Sequence, residues 1–164
     1  MEPTPDLLLE RRISGGINMA DSAASFPYEQ YNRDVWDMHD PEALAKYVAS
    51  DARVHSMTPG KLAGSGLDYL KARATSLLNA FPDVKFVVEE IVRQGDLLAA
   101  RVTLEGTHRA DFAGIPASGK RMKVYDFAMY RVANDKITDI WSLIDMQAMR
   151  DQLQGGSTAS GHFR

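Results

Sequence analysis

From residue 28 the apolar side chains Tyr28, Tyr31, Val35 and Met38 recur every three or four positions, which is the spacing of one buried stripe on a helix. Pro27 fits the first turn of that helix, where a missing N–H breaks no bond. The period restarts in DPEALAKYV, with Asp40 as N-cap, Pro41 in the first position and Leu44, Tyr47 and Val48 turned inward. A short strand is predicted over 53–57, closed by TPG. SGLD (65–68) has the form of a capping box and opens a helix to residue 80, with Leu67, Leu70, Ala74, Leu77, Leu78 and Phe81 as its apolar stripe.

Beyond FPD the period changes from near four to two. Strands are predicted over 84–93, 97–108, 120–132 and 136–145, joined by QGD, the loop RADFAGIPASG and AND, and a last helix over 146–153 stops at Gly155-Gly156. Helices followed by strands on short turns predict an α+β domain with a curved antiparallel sheet. Residues 1–25 and 154–164 have no period and read as a mobile extension and a mobile tail around one domain at 26–153; Met19 offers an alternative start.

The stretch KVYDFAMYRV (123–132) poses a physical problem. One face carries Val124, Asp126, Ala128, Tyr130 and Val132, the other Tyr125, Phe127 and Met129, so both are largely apolar. Helices cover one face of such a sheet; a second copy of the sheet is predicted to cover the other, giving a homodimer. An ionised Asp126 on a buried face costs several kcal/mol unless it is paired or lines a wet cavity.

Composition narrows the chemistry. The 164 residues are 45% hydrophobic with a net charge of −3, which argues against a nucleic-acid or anionic-membrane surface. The basic knot GKRMK reads as a solvated strand entrance. With no cysteine, thiolate nucleophiles and thiolate metal sites are excluded, and the four histidines lack His-x-His or His-x-x-x-His spacing, so no metal is predicted. No Gly-rich phosphate loop or Gly-x-Ser-x-Gly elbow occurs, and no cofactor is predicted. No apolar run spans a bilayer and LLLERR is not a secretory signal, so the expected location is the cytoplasm.

Residues 79–145, with GTH, F-x-GIP-x-x-GK and the YRV…KI…W…D hairpin, closely resemble the SnoaL-like polyketide cyclases, or ester cyclases, of the nuclear-transport-factor-two-like superfamily. Counting VHSMTPG and the helix after Ser65, the resemblance covers about 28–153. It implies a sheet wrapped around helices in a cone, an apolar pocket opening at one end, and a dimer. In the cyclases an aspartate on the last strand is the acid and base; register places it at Ser142. In the related ketosteroid isomerases the acids fall near Ser56 and Ala128, and a helix-one tyrosine near Asn32. Limonene epoxide hydrolase looks similar as well, and its Arg-x-Asp maps onto Arg101-Val102-Thr103. None of these positions keeps its carboxylate.

Asp126 shares a strand face with Ala128 and is the surviving candidate for general acid/base work; the alternative is a fixed ion pair with Arg101 on the next strand. Arg101 and Ser142 complete the catalytic set. Tyr31, Asn32, Val35, His55, Ser56, Thr103, His108, Ala128, Tyr130 and Ile144 are the expected pocket residues. Ser142, Ser56 and Asn32 are the expected hydrogen-bond donors to a developing enolate. The function expected is a cofactor-independent cyclase or isomerase (a lyase-type chemistry) acting on a small hydrophobic carbonyl compound. The alternatives are a non-catalytic small-molecule binding protein and, last, an epoxide hydrolase.

Overall fold

The structure, a computed structural model, describes residues 22–155. Strands β1 (Val48–His55), β2 (Leu62–Ser65), β3 (Lys85–Gln94), β4 (Leu97–Thr107), β5 (Arg121–Ala133) and β6 (Lys136–Ile144) form one curved, open sheet in the order β2-β1-β6-β5-β4-β3. The helices are α1 (Ser22–Ser25), α2 (Tyr28–Asn32), α3 (Leu44–Tyr47), α4 (Leu67–Ala80) and α5 (Met146–Gln154). The α+β class stands, and the four long strands fall within a residue or two of the alternating segments. Among the described residues no helix is long and apolar enough to cross a membrane.

Four details differ from the sequence reading. The sheet is not wholly antiparallel: β1 runs parallel to β6, because the chain returns to the far edge only after α4 and the β3–β5 meander. Strand β1 begins at Val48, and β2 went unread because LAGS is too short to show alternation. The start of α4 is Gly66, with φ at +87° and no side-chain cap, so Ser65 and Asp68 do not form the capping box. Lastly, 22–25 belong to the folded unit. Ala23 is fully buried and donates its N–H to Gly95 O at 3.1 Å, while Ser22 Oγ donates to Val132 O at 2.7 Å. SAAS is too small and short to show a stripe, yet it packs flush. The rest of the predicted extension, 1–21, and of the tail, 156–164, lie outside the described residues.

The helix that begins at Tyr28 passes into a π turn over Arg33–Asp37, with i→i+5 bonds from Met38 N to Arg33 O (2.9 Å) and Asp40 N to Val35 O (3.0 Å). Lys46 Nζ at 2.8 Å, Tyr47 Oη and Gln30 Nε2 all donate to the Asp34 carboxylate within that turn, Lys46 acting most strongly, and hold it down to about 2. Asp40 caps the next turn by accepting from Glu42 N, as the sequence predicts. This clamp fixes Tyr28, Tyr31 and Val35 against the inner face of the sheet, where they are buried.

On β5 the alternation holds residue by residue. Val124, Ala128, Tyr130 and Val132 are buried inward, while Tyr125, Phe127 and Met129 are exposed outward. Phe127 is 56% and Leu143 of β6 55% exposed, so the outer face is as apolar as expected and is uncovered in the single chain.

Candidate active site

Three cross-strand rows of the inner face define the site. Pairing across β4, β5 and β6 sets Leu98–Tyr130–Ile140, Ala100–Ala128–Ser142 and Val102–Asp126–Ile144 side by side. A row of small side chains therefore separates a tyrosine from a carboxylate. Successive rows on one face lie about 7 Å apart along the strand.

Asp126 is half-buried, and Ser142 Oγ donates to its Oδ1 at 2.9 Å. Desolvation raises its carboxyl from the ordinary aspartate value; the Ser142 hydroxyl, the Leu143 backbone and the charge of Arg73 on α4 pull against that rise without cancelling it. At the other end, Tyr28 Oη and Tyr130 Oη lie 3.5 Å apart, and the Tyr31 ring centroid is 5.6 Å from that of Tyr28. Burial, helped by the field of Asp126, pushes Tyr28 up to about 12 and moves Tyr31 and Tyr130 higher, so all three are neutral phenols at ordinary pH.

Of the expected site residues, Tyr31, Ala128, Tyr130, Ser142 and Ile144 come together on or against this wall, and Val35 packs in the core beside it. The others are placed elsewhere. Arg101 stands opposite Phe127, not Asp126, and so projects from the outer face. There its Nη2 lies 3.3 Å from Glu90 Oε1 and its guanidinium covers the Tyr125 ring at 5.1 Å. The expected Asp126–Arg101 pair is therefore corrected: an odd difference in register puts the sheet between them. Thr103 shares that outer face and donates to Glu89 Oε1 at 2.6 Å.

Asn32 donates its amide to Phe86 O at 3.0 Å, tying α2 to β3. Ser56 lies in the β1–β2 turn, where its Oγ accepts from Thr58 N at 3.1 Å. His108 is fully buried; its Nδ1 bonds Ser118 and its ring stacks on Phe81 at 5.1 Å, a role in fixing the loop. His55 lies on the outer face, stacked on Trp141 at 4.2 Å.

His55 also reveals a residue that sequence reasoning passed over. Asp139 of β6 is 1% exposed and accepts from Arg53 Nη2 and His55 Nε2, both at 2.7 Å. The last strand thus does carry a buried aspartate, three residues from Ser142 and on the opposite face. Burial alone raises its carboxyl, but Arg53, His55 and Thr138 together outweigh that and hold it low. Tyr28, which meets Tyr130 at this wall, shows in the sequence only as one member of an apolar stripe.

A half-buried carboxylate whose pKa is raised by burial, with one hydroxyl donor and, among the described residues, no ion-pair partner, is the group on this face suited to take up and return a proton. Asp139, fully committed to two basic groups, cannot.

The family described as SnoaL-like polyketide cyclase matches residues 28–153. Among solved structures, TsrD from Streptomyces laurentii superposes with a TM-score of 0.71 at 21% identity, covering 82% of this chain and 96% of TsrD. A candidate polyketide cyclase from Acidithiobacillus ferrooxidans gives a TM-score of 0.70 at 26% identity over 83% of this chain and 96% of that one. IdmH, a candidate polyketide cyclase from Streptomyces antibioticus, gives 0.62 at 27% identity over 84% and 99%. No curated protein matches the chain.

Proposed function

The chain belongs to the SnoaL-like polyketide cyclase family, and on that premise we propose that it is a cofactor-independent cyclase or isomerase of a small hydrophobic carbonyl compound, with Asp126 as its acid and base. The observation that carries this reading is the state of Asp126: half-buried, oriented by Ser142 at 2.9 Å and, among the described residues, without an ion-pair partner. In this reading the substrate lies against the Ala100–Ala128–Ser142 row, beside Asp126. The Asp126 carboxylate takes a proton from the carbon beside a carbonyl, and the C–H electron pair becomes the enolate double bond. The enolate carbon then attacks a second carbonyl of the same molecule, whose oxygen takes the proton back, or is reprotonated at another carbon to move a double bond.

The test is Asp126→Asn. Turnover of a carbonyl substrate should fall by about a hundredfold or more with little change in affinity, the scale of a lost general base; unchanged turnover would remove the reading. A second reading, a binding protein without chemistry, is favoured by Ser142 at the family's acid position. It expects the same substitution to change affinity and no bound carbonyl compound to yield product. Epoxide opening loses its last support, since Arg101 lies across the sheet from Asp126.

On the outer face, Met57, Val92, Phe127, Met129 and Trp141 line an apolar groove of about 340 Å³. A second copy of the sheet covers it in this reading, and sedimentation at micromolar concentration should report a dimer.

A further inference from the structure

Of the large apolar side chains that stand exposed among the described residues, all but Met38 lie on the outer face of the sheet or line its groove. The charges set among them are matched within the chain. Arg101 lies 3.3 Å from Glu90, Arg53 lies 2.7 Å from Asp139, and Arg131 pairs with Asp96. A two-fold axis brings identical surfaces together, so a face whose charges are already matched can be covered by its own copy without like-charge repulsion.

One group beside the groove stays matched only while it is uncharged. The His55 ring lies on the Trp141 ring, with 4.2 Å between centroids and 9° between planes, and Trp141 is part of the groove wall. His55 Nε2 and Asp139 Oδ1 are 2.7 Å apart. Asp139 is held low and therefore accepts, so Nε2 carries the proton and Nδ1 is bare, with no hydrogen-bond partner among the described residues. Arg53 already answers the Asp139 charge. The set Arg53–Asp139–His55 is thus neutral with a neutral imidazole, and a second proton on Nδ1 adds a net positive charge and an unpaired donor together. The neighbouring elements supply nothing to absorb it. Strand β2 has no charged residue and follows Lys61, while Arg131, opposite Asp139 on β5, is held by Asp96. Asp51, earlier on β1, acts on Arg53, and among the described residues no carboxylate but Asp139 pairs with His55.

We propose that the outer face is a proton-gated self-association surface, on which two copies join while His55 is neutral and part when His55 takes its second proton. The inference rests on the sheet-face dimer read above and adds what controls it. The His55 side chain is 22% exposed in the single chain. A covering copy removes the water that solvates it, and a desolvated imidazolium with an unpaired N–H is costly. Each copy brings that cost to the same interface. Protonation and association therefore oppose each other, and by reciprocity each weakens the other to the same extent.

The test is sedimentation equilibrium of the full chain at about pH 8 and about pH 5.5, the two sides of imidazole titration. The dissociation constant should rise about tenfold or more at the lower pH, within the usual range of coupling between sites. The direction is informative, because the overall charge of −3 shrinks there and by itself favours association. His55→Gln keeps a donor for Asp139 and His55→Phe keeps the stack on Trp141. Each should give one dissociation constant at both pH values. A constant that does not rise in the unaltered protein, or a rise that persists in both variants, overturns the proposal. Failure of the dimer reading shows separately and removes the proposal with it, as a monomer at the higher pH or as a dimer that survives Phe127→Asp. Phe127 is exposed, so an unaltered circular dichroism spectrum serves as the folding control at each pH.

Discussion

Ser142 and Asp126 lie diagonally across β6 and β5, and the Ser142 hydroxyl donates to Asp126 Oδ1 at 2.9 Å. The position where the resemblance places an acid therefore holds a hydroxyl that orients a carboxylate on the neighbouring strand. Because the hydroxyl favours the charged form, it counts among the forces that restrain the raised pKa of Asp126. Ser142→Ala should move the acidic limb of the kcat/KM profile to higher pH, leaving the plateau within about tenfold. A limb that stays in place would show that the hydrogen bond does not set the acidity.

Asp126 is costly to the fold when charged. Its native pKa lies above the unfolded value because burial penalises the carboxylate. Between those two values the native state binds more protons than the unfolded state, so stability falls as pH rises through the window, and the full cost remains above it. Asp126→Asn should raise stability by about 1 kcal/mol at neutral pH, the usual scale of relief at an active-site residue. The gain should vanish below the ordinary carboxylate range. Urea melts of both proteins at acid and neutral pH check this.

The opposite sign applies to Asp139, whose native pKa is held low by Arg53, His55 and Thr138 against its burial. Its contribution is fully present above the ordinary carboxylate value and is lost as pH falls through the depressed native one. Arg53 is well exposed and can be rehydrated, so Asp139→Asn should cost about 2 kcal/mol, in the range for hydrogen bonds to a charged group. Turnover at low temperature should survive, because Asp139 lies on the outer face; a hundredfold loss there would place chemistry on the wrong side of the sheet.

These two aspartates show what the sequence makes legible. The inward face of Asp126 follows from the period of two along β5, and neighbouring Ala128 and Tyr130 confirm it by their burial. Whether Arg101 meets residue 126 or 127 depends instead on the β4–β5 register, which is set by the path of the RADFAGIPASG loop and not by local pattern. Asp139 is hidden for a related reason. In KITDIW it reads as an ordinary outward polar residue, and only the parallel docking of β1, a non-local event, brings Arg53 opposite it and His55 within bonding distance.

Gly64 offers a test of the contact between β2 and the Tyr69 ring of α4. Its φ does not lie in the left-handed region, so an alanine there carries no backbone strain and the whole effect is steric. The added Cβ would stand 2.5 Å from two Tyr69 ring carbons, closer than real Cβ contacts allow, and the ring must leave β2. Gly64→Ala should therefore destabilise by about 1–3 kcal/mol, the cost of overpacking. Tyr69→Ala in the same background should recover the part that comes from the clash, so the two substitutions together should cost less than the sum of each alone. Urea melts of the two single variants and the double variant check this, and additive stabilities would mean that Tyr69 does not rest on Gly64 in solution.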